Sequence, residues 1–184
     1  SLTAEQKAIR RTGIGGSAAL MSKISADWGG VVYTVEQLEK CIRIAKELIP
    51  QEFQRRIKFY HSDIEIKEFP EIQYRHFIQY RKIPEGEWDL IVIDGPWLKF
   101  ENNKLIDLPA SDIMAIFPKI KEGCLIYLDG RGELRGILSR YYLSYLETLG
   151  QDERYILWKR NSKSFSGLED ALLEKIKAFG YFNE

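Results

Sequence analysis

Excess charge of either sign is missing from this sequence. Lysine plus arginine and aspartate plus glutamate number 27 each, so the formal net charge is zero. That removes the bulk electrostatic footprint of a nucleic-acid-binding protein and leaves only a local basic patch as a route to that function. No apolar run approaches the length that spans a bilayer. The N-terminus lacks a basic start followed by an apolar centre, so no signal peptide is expected and the expected location is cytoplasmic. Cysteine is scarce. Cys41 and Cys124 lie far apart within apolar stretches and read as reduced core residues rather than a disulfide or a metal pair. Internal repeats and low-complexity linkers are also absent, and one domain over residues 1–184 is expected.

What is present suits a globular chain. At 184 residues with 45% apolar and 29% charged content, it is long enough to bury a sizeable core. Aromatic content of 12% hints at a substrate surface or a partner interface. The stretch that organises the rest is Thr12-Gly13-Ile14-Gly15-Gly16-Ser17-Ala18, three glycines in four residues followed by a helix-forming run. Glycine lets another group approach the backbone closely, and a helix start offers unpaired N–H groups and the positive end of its dipole. Such a turn can seat the polar part of a nucleotide-like ligand.

Strands and helices alternate after it. Residues 18–25 read as a helix, Val31–Val35 as a strand closed by Glu36, and residues 37–49 as an amphipathic helix through Leu38, Cys41, Ile42, Ala45, Leu48 and Ile49. Residues 57–61 form a second strand, and 64–84 read as a helix or a long loop. Residues 88–94 are the clearest strand, an unbroken apolar run that suggests burial on both faces. Residues 97–108 read as a polar loop, 110–120 as a helix, 124–128 as a strand ending at Asp129, 134–149 as a helix, 154–159 as a last strand and 164–178 as a closing helix. Ahead of the glycine turn, residues 4–11 look helical or frayed, and whether a longer N-terminal part precedes them is left open. The alternation predicts an α/β architecture with a mostly parallel sheet.

Glu36, Asp63, Asp94 and Asp129 each fall at the carboxyl end of a predicted strand, the edge at which open α/β sheets bind ligands. An acid after the second strand can accept from both ribose hydroxyls of a nucleoside, and one after the third from an adenine amino group.

In this order the segments resemble the class I S-adenosylmethionine-dependent methyltransferases. The glycine turn is similar to the family's Gly-x-Gly-Gly-Ser cofactor loop, Val31 to Glu36 to its second strand, Phe59-Tyr60-His61-Ser62-Asp63 to the segment near the adenine, and "WDLIVIDGP" from Trp88 to Pro96 to its fourth strand. Gly123 to Gly130 looks like its fifth. The resemblance implies a Rossmann-like three-layer sandwich with a mostly parallel central sheet. It implies that Gly13, Gly15, Gly16, Ser17, Glu36 and Asp63 hold S-adenosyl-L-methionine, with Asp94 as catalytic base and His61 as a weaker candidate. The partner implied is a small-molecule methyl acceptor, reacting through oxygen, without nucleic acid or membrane; homo-oligomerisation is left open. Asp94 and Asp129 could share a divalent cation, but Gly130 stands where related metal-dependent enzymes carry an amide, so no metal is expected. Arg11 replaces the acid that usually precedes the first glycine by two residues, and the first strand is weak.

Two other readings stay open. Gly13-x-Gly15-x-x-Ala18 also fits a dinucleotide fingerprint, with Glu36 near the distance of a ribose-binding acid, as in a nicotinamide-dependent oxidoreductase. Alternatively the chain is a non-catalytic, methyltransferase-like binding module, with Trp97, Tyr141, Tyr142 and Tyr145 as interface candidates; core packing is the favoured role of the tyrosines.

Overall fold

The computed structural model of the chain describes residues 16–69, 72, 76–95, 99–101, 104–106, 108–165 and 167. The predicted helices over 4–11 and most of 164–178, together with Arg11, Gly13, Gly15 and Trp97, lie outside the described residues. The chain divides into two units, Ser1–Ile64 with Tyr80–Pro84, and Glu65–Gln79 with Glu85–Glu184.

In the first unit, helix α1 (Gly16–Ser25) runs into a 3₁₀ turn at Ala26–Trp28. Gly29 closes that turn at φ 71°, a left-handed backbone that a Cβ would strain. The Gly30 N–H donates to the Ser25 carbonyl at 2.9 Å, and the chain then enters β1 (Val32–Glu36). Helix α2 (Glu39–Leu48) follows, then the short α3 (Gln51–Gln54) behind Pro50, then β2 (Ile57–His61). β1 and β2 pair in parallel, from Val32 opposite Ile57 to Glu36 opposite His61. Parallel neighbours need a crossover too long for a tight turn, and α2 with α3 supplies it. Ala45, Ile49 and Ile57 are the buried centre, packed against Ala18, Ala19, Val32, Phe53 and Phe59. Ser22, fully buried, donates through Oγ to the Phe53 carbonyl at 2.7 Å and ties α1 to α3.

The second unit is built on four strands. β5 (Leu90–Ile93), β8 (Leu125–Asp129), β10 (Tyr155–Arg160) and β9 (Leu146–Gln151) lie in the order β5-β8-β10-β9. β5 and β8 are parallel, while β10 runs antiparallel to both of its neighbours. In two further ladders β3 (Ile64–Glu68) pairs with β4 (His76–Tyr80), and β6 (Lys99–Glu101) with β7 (Lys104–Ile106). Ile78 of β4 bridges to Ala110, just ahead of α4 (Asp112–Ile116), and Ser111 Oγ donates to Gln79 Oε1 at 3.1 Å. Helix α5 (Gly132–Tyr141) follows β8.

One face of the four-stranded sheet is buried through Ile93, Ile126, Leu128, Ile156 and Trp158. Phe117 centres an aromatic cluster with Tyr142, Tyr145 and Phe165, its ring centroid 4.6, 6.2 and 4.9 Å from theirs. Arg160 is buried beside it, 5.2 Å from the centroid of Phe117, and donates to the carbonyls of Asn161 and Lys163 at 2.7 Å each. Cys124 is buried and Cys41 partly so, and both are free thiols. Among the described residues no helix is long and apolar enough to cross a membrane.

The expected Rossmann-like three-layer sandwich with a mostly parallel central sheet is not what forms. The described strands divide into sheets of two, four, two and two, and parallel ladders join only β1 to β2 and β5 to β8. Four local readings fail with it. Residues 64–80, read as a helix or loop, hold β3 and β4; the alternation Ile64-Glu65-Ile66-Lys67 is a strand period. The helix over 134–149 stops at Tyr141, because Tyr142 and Tyr145 both turn into the aromatic core, and the chain continues as β9. Leu90 and Val92 of β5 are 41% and 37% exposed, because β5 is the edge strand of its sheet and only its Ile93 side is buried. The expected polar loop over 97–108 holds the β6–β7 ladder.

Phe117→Ala opens the aromatic cluster and is expected to cost about 3–5 kcal/mol of stability, read from urea denaturation. Leu149→Ala, on an exposed position of β9, is expected to shift stability by less than about 0.5 kcal/mol.

Candidate functional site

Two strand edges carry the residues singled out by sequence. In the first unit the β1–β2 ladder puts Glu36 opposite His61, and the Ser62 N–H donates to the Glu36 carbonyl at 3.1 Å. Asp63, exposed, follows directly. Glu36, His61 and Asp63 therefore share the carboxyl end of the ladder. Gly16 and Ser17 are the first residues of α1. Ala18 and Ala19, in the first turn of α1, pack with Ile57 and Val32 at the amino end of the ladder. Gly13 and Gly15 lie outside the described residues.

The chemistry of this edge is mostly that of acceptors. Glu36 Oε1 accepts the Leu38 N–H at 3.0 Å, closing the turn into α2, and a carboxylate retains further lone-pair sites beyond one bond. Next to it Gln37 Oε1 is buried and has no hydrogen-bond partner among the described residues, an orphan that ordinarily calls for a donor. His61 Nε2 lies 3.1 Å from the Gln37 carbonyl, and its Nδ1 is 3.9 Å from Glu39 Oε1. The imidazole thus links the two strand ends, as a polar strand residue would. Gly16 leaves open space where a Cβ would project.

In the second unit, Ile93 pairs with Leu128 on parallel strands, so Asp94 and Asp129 leave adjacent strands at the same edge. Gly130 turns the chain at φ 59°, and its N–H donates to the Arg154 carbonyl at 2.6 Å. That turn directs Arg131 back, and its guanidinium donates to the Asp94 carbonyl oxygen. Desolvation raises the Asp94 carboxyl above the usual carboxylate range, against the pull of Arg131 and with the push of Asp129. Behind this group Tyr127 and Tyr155 stack, centroids 5.7 Å apart and planes 20° apart. Burial, then Asp129 and Asp152, push the Tyr127 phenol up as well. Asp152 itself is occupied, its Oδ1 accepting the N–H groups of Arg154 and Tyr155 at 2.6 and 2.9 Å.

Sequence reasoning named Asp94 and Asp129 but passed over Arg131 and Gln37. The signal for Arg131 was the run Asp129-Gly130-Arg131-Gly132, in which a glycine turn returns a cation toward the strand end. Gln37 carried no signal beyond following Glu36. Tyr142 and Tyr145 are core residues, 2% and 1% exposed. Among the described residues, no group of three or more His, Cys, Asp or Glu side chains is arranged to hold a metal ion. Comparison with family models, curated proteins and solved structures finds no match for this chain.

A raised carboxyl pKa makes the folded chain bind a proton that the unfolded chain has already released. Between the unperturbed value near 3.9 and the raised one, stability therefore falls as pH rises. Asp94→Asn is expected to be more stable than the parent at neutral pH, the difference vanishing near pH 3, as measured by urea midpoints. Arg131→Gln is expected to raise the Asp94 pKa further and Asp129→Asn to lower it, read by carboxyl-carbon NMR titration.

Proposed function

We propose that this chain binds S-adenosyl-L-methionine and transfers its methyl group to an oxygen of a small-molecule acceptor in the cytoplasm. The observation that carries the reading is Asp94, which leaves the end of a parallel strand pair beside Asp129, with Arg131 on its carbonyl oxygen and its carboxyl pKa raised by partial desolvation. A hydroxyl that attacks a methyl carbon must lose its proton, and a carboxylate with a raised pKa is a stronger base for that task. Function of this kind resides in sites rather than in one sheet topology, so the reading stands on side chains.

The first unit supplies groups that fit the nucleoside. Glu36 retains acceptor capacity for ribose hydroxyls, Gln37 Oε1 is a buried acceptor in need of a donor, and Gly16 and Ser17 would hold the polar part of the cofactor, as the resemblance implies. Asp63 stands beside Glu36 as an acceptor for an exocyclic amine. When bound, the sulfonium supplies an activated methyl carbon. Asp94 would take the proton that the acceptor hydroxyl loses. Positioning of the acceptor against the methyl group supplies much of the remaining rate.

Calorimetric titration of the intact chain with S-adenosyl-L-methionine is expected to give a dissociation constant in the micromolar range, typical of substrates. Glu36→Ala is expected to weaken it about tenfold, the scale of one lost charge-assisted hydrogen bond. Asp94→Asn is expected to leave binding unchanged while lowering S-adenosylhomocysteine release, over a panel of hydroxylated acceptors, by about 10²–10⁴-fold. Absence of binding by folded protein would remove the proposal.

A further inference from the structure

The helices of the first unit cover one face of the β1–β2 ladder and leave the other to different side chains. Alternation puts Tyr33 and Val35 of β1 and Lys58 and Tyr60 of β2 on that second face. Tyr33 and Tyr60 are 36% and 37% exposed, and their rings stack with centroids 5.9 Å apart and planes 18° apart. The Lys58 ammonium lies 5.0 Å from the Tyr33 ring centroid and 3.3 Å from its hydroxyl. No carboxylate pairs with Lys58 among the described residues, and none of these four side chains is acidic. Two further cations flank the strand: exposed Arg55 just before β2, and exposed Lys82, whose N–H donates to Ser62 Oγ at 2.9 Å just beyond its end.

We propose that this face binds single-stranded nucleic acid, its bases stacking on Tyr60 and Tyr33 and its phosphates meeting Lys58. Every base presents a π-face, so a pair of exposed aromatic rings accepts successive bases without reading their sequence, and a cation at the platform draws in the backbone. Net neutrality of the whole chain does not oppose this, because counter-ion release depends on the cations that meet phosphates. The dimensions select against a second copy of the chain. Five residues at about 3.3 Å and two strands about 4.8 Å apart give a strip on the order of 200 Å², far below the roughly 800 Å² per partner of a stable interface. A single strand of nucleotides needs only such a strip. The inference is independent of the methyl-transfer reading.

Fluorescence anisotropy of a labelled oligouridylate of about 12 nucleotides, titrated with the intact chain at low salt, tests it. Binding is expected, with little for a duplex of the same length. Tyr60→Ala is expected to weaken binding about tenfold, while Tyr60→Phe, which keeps the ring, stays within about twofold. Lys58→Gln is expected to reduce the slope of affinity against salt by about 0.7. Circular dichroism melting of each variant reads folding separately. Equal affinity for duplex, no binding by folded parent protein, or indifference to both Tyr60→Ala and Lys58→Gln would overturn the proposal. So would sedimentation showing a dimer that Tyr60→Ala dissolves in a chain that binds no oligonucleotide.

Discussion

Parallel strands cannot be joined by a tight turn, and that constraint shapes both units of this chain. To pair β1 with β2 the chain must climb back through α2 and α3, and to pair β5 with β8 it must return through the segment that carries α4. Each return brings two strand ends to one edge, pointing the same way. Residues that stop a strand are polar because they meet water, so the edge collects acids: Glu36 and Asp63 in one unit, Asp94 and Asp129 in the other. The chemistry proposed for the chain is a consequence of that geometry more than of any one motif.

The cost of the arrangement is electrostatic. Two carboxylates leave adjacent strands at one edge, and partial desolvation of Asp94 favours its protonated form. Arg131, returned by the left-handed turn at Gly130, keeps the pair tolerable without neutralising it. The second unit tolerates this because its core is heavily buried elsewhere, around Trp158, Phe117, Tyr142 and Tyr145. Even there a charge is enclosed: Arg160 is desolvated, which lowers its pKa, and is compensated by backbone carbonyls and the rings of Phe117 and Tyr145.

Local signals were legible where they were local. The β-branched run ending at Glu36, the spacing of Leu38 to Ile49 and the apolar runs before Asp94 and Asp129 each marked an element and the acid at or near its end. Pairing was not legible, since which strand lies beside which depends on packing far along the chain. The alternation from Ile64 to Lys67 was a strand signal overridden by the acidic and aromatic residues around it. In the helix read over 134–149, Leu143, Leu146 and Leu149 have helical spacing, yet only Leu146 is buried. An apolar run such as Leu90 to Ile93 suits a central strand and an edge strand equally. Strand-end acids could be named, but the roles of Arg131 and Gln37 arise only once the chain has folded.

The proposed nucleoside site is the carboxyl end of the β1–β2 ladder, where Glu36 and its neighbours would grip the sugar and base. Crystals of the chain grown with S-adenosylhomocysteine test this most directly. Ribose hydroxyls on the Glu36 carboxylate and a donor of the ligand on Gln37 Oε1 are the expected result. A nucleoside bound away from the carboxyl end of β1 would contradict it.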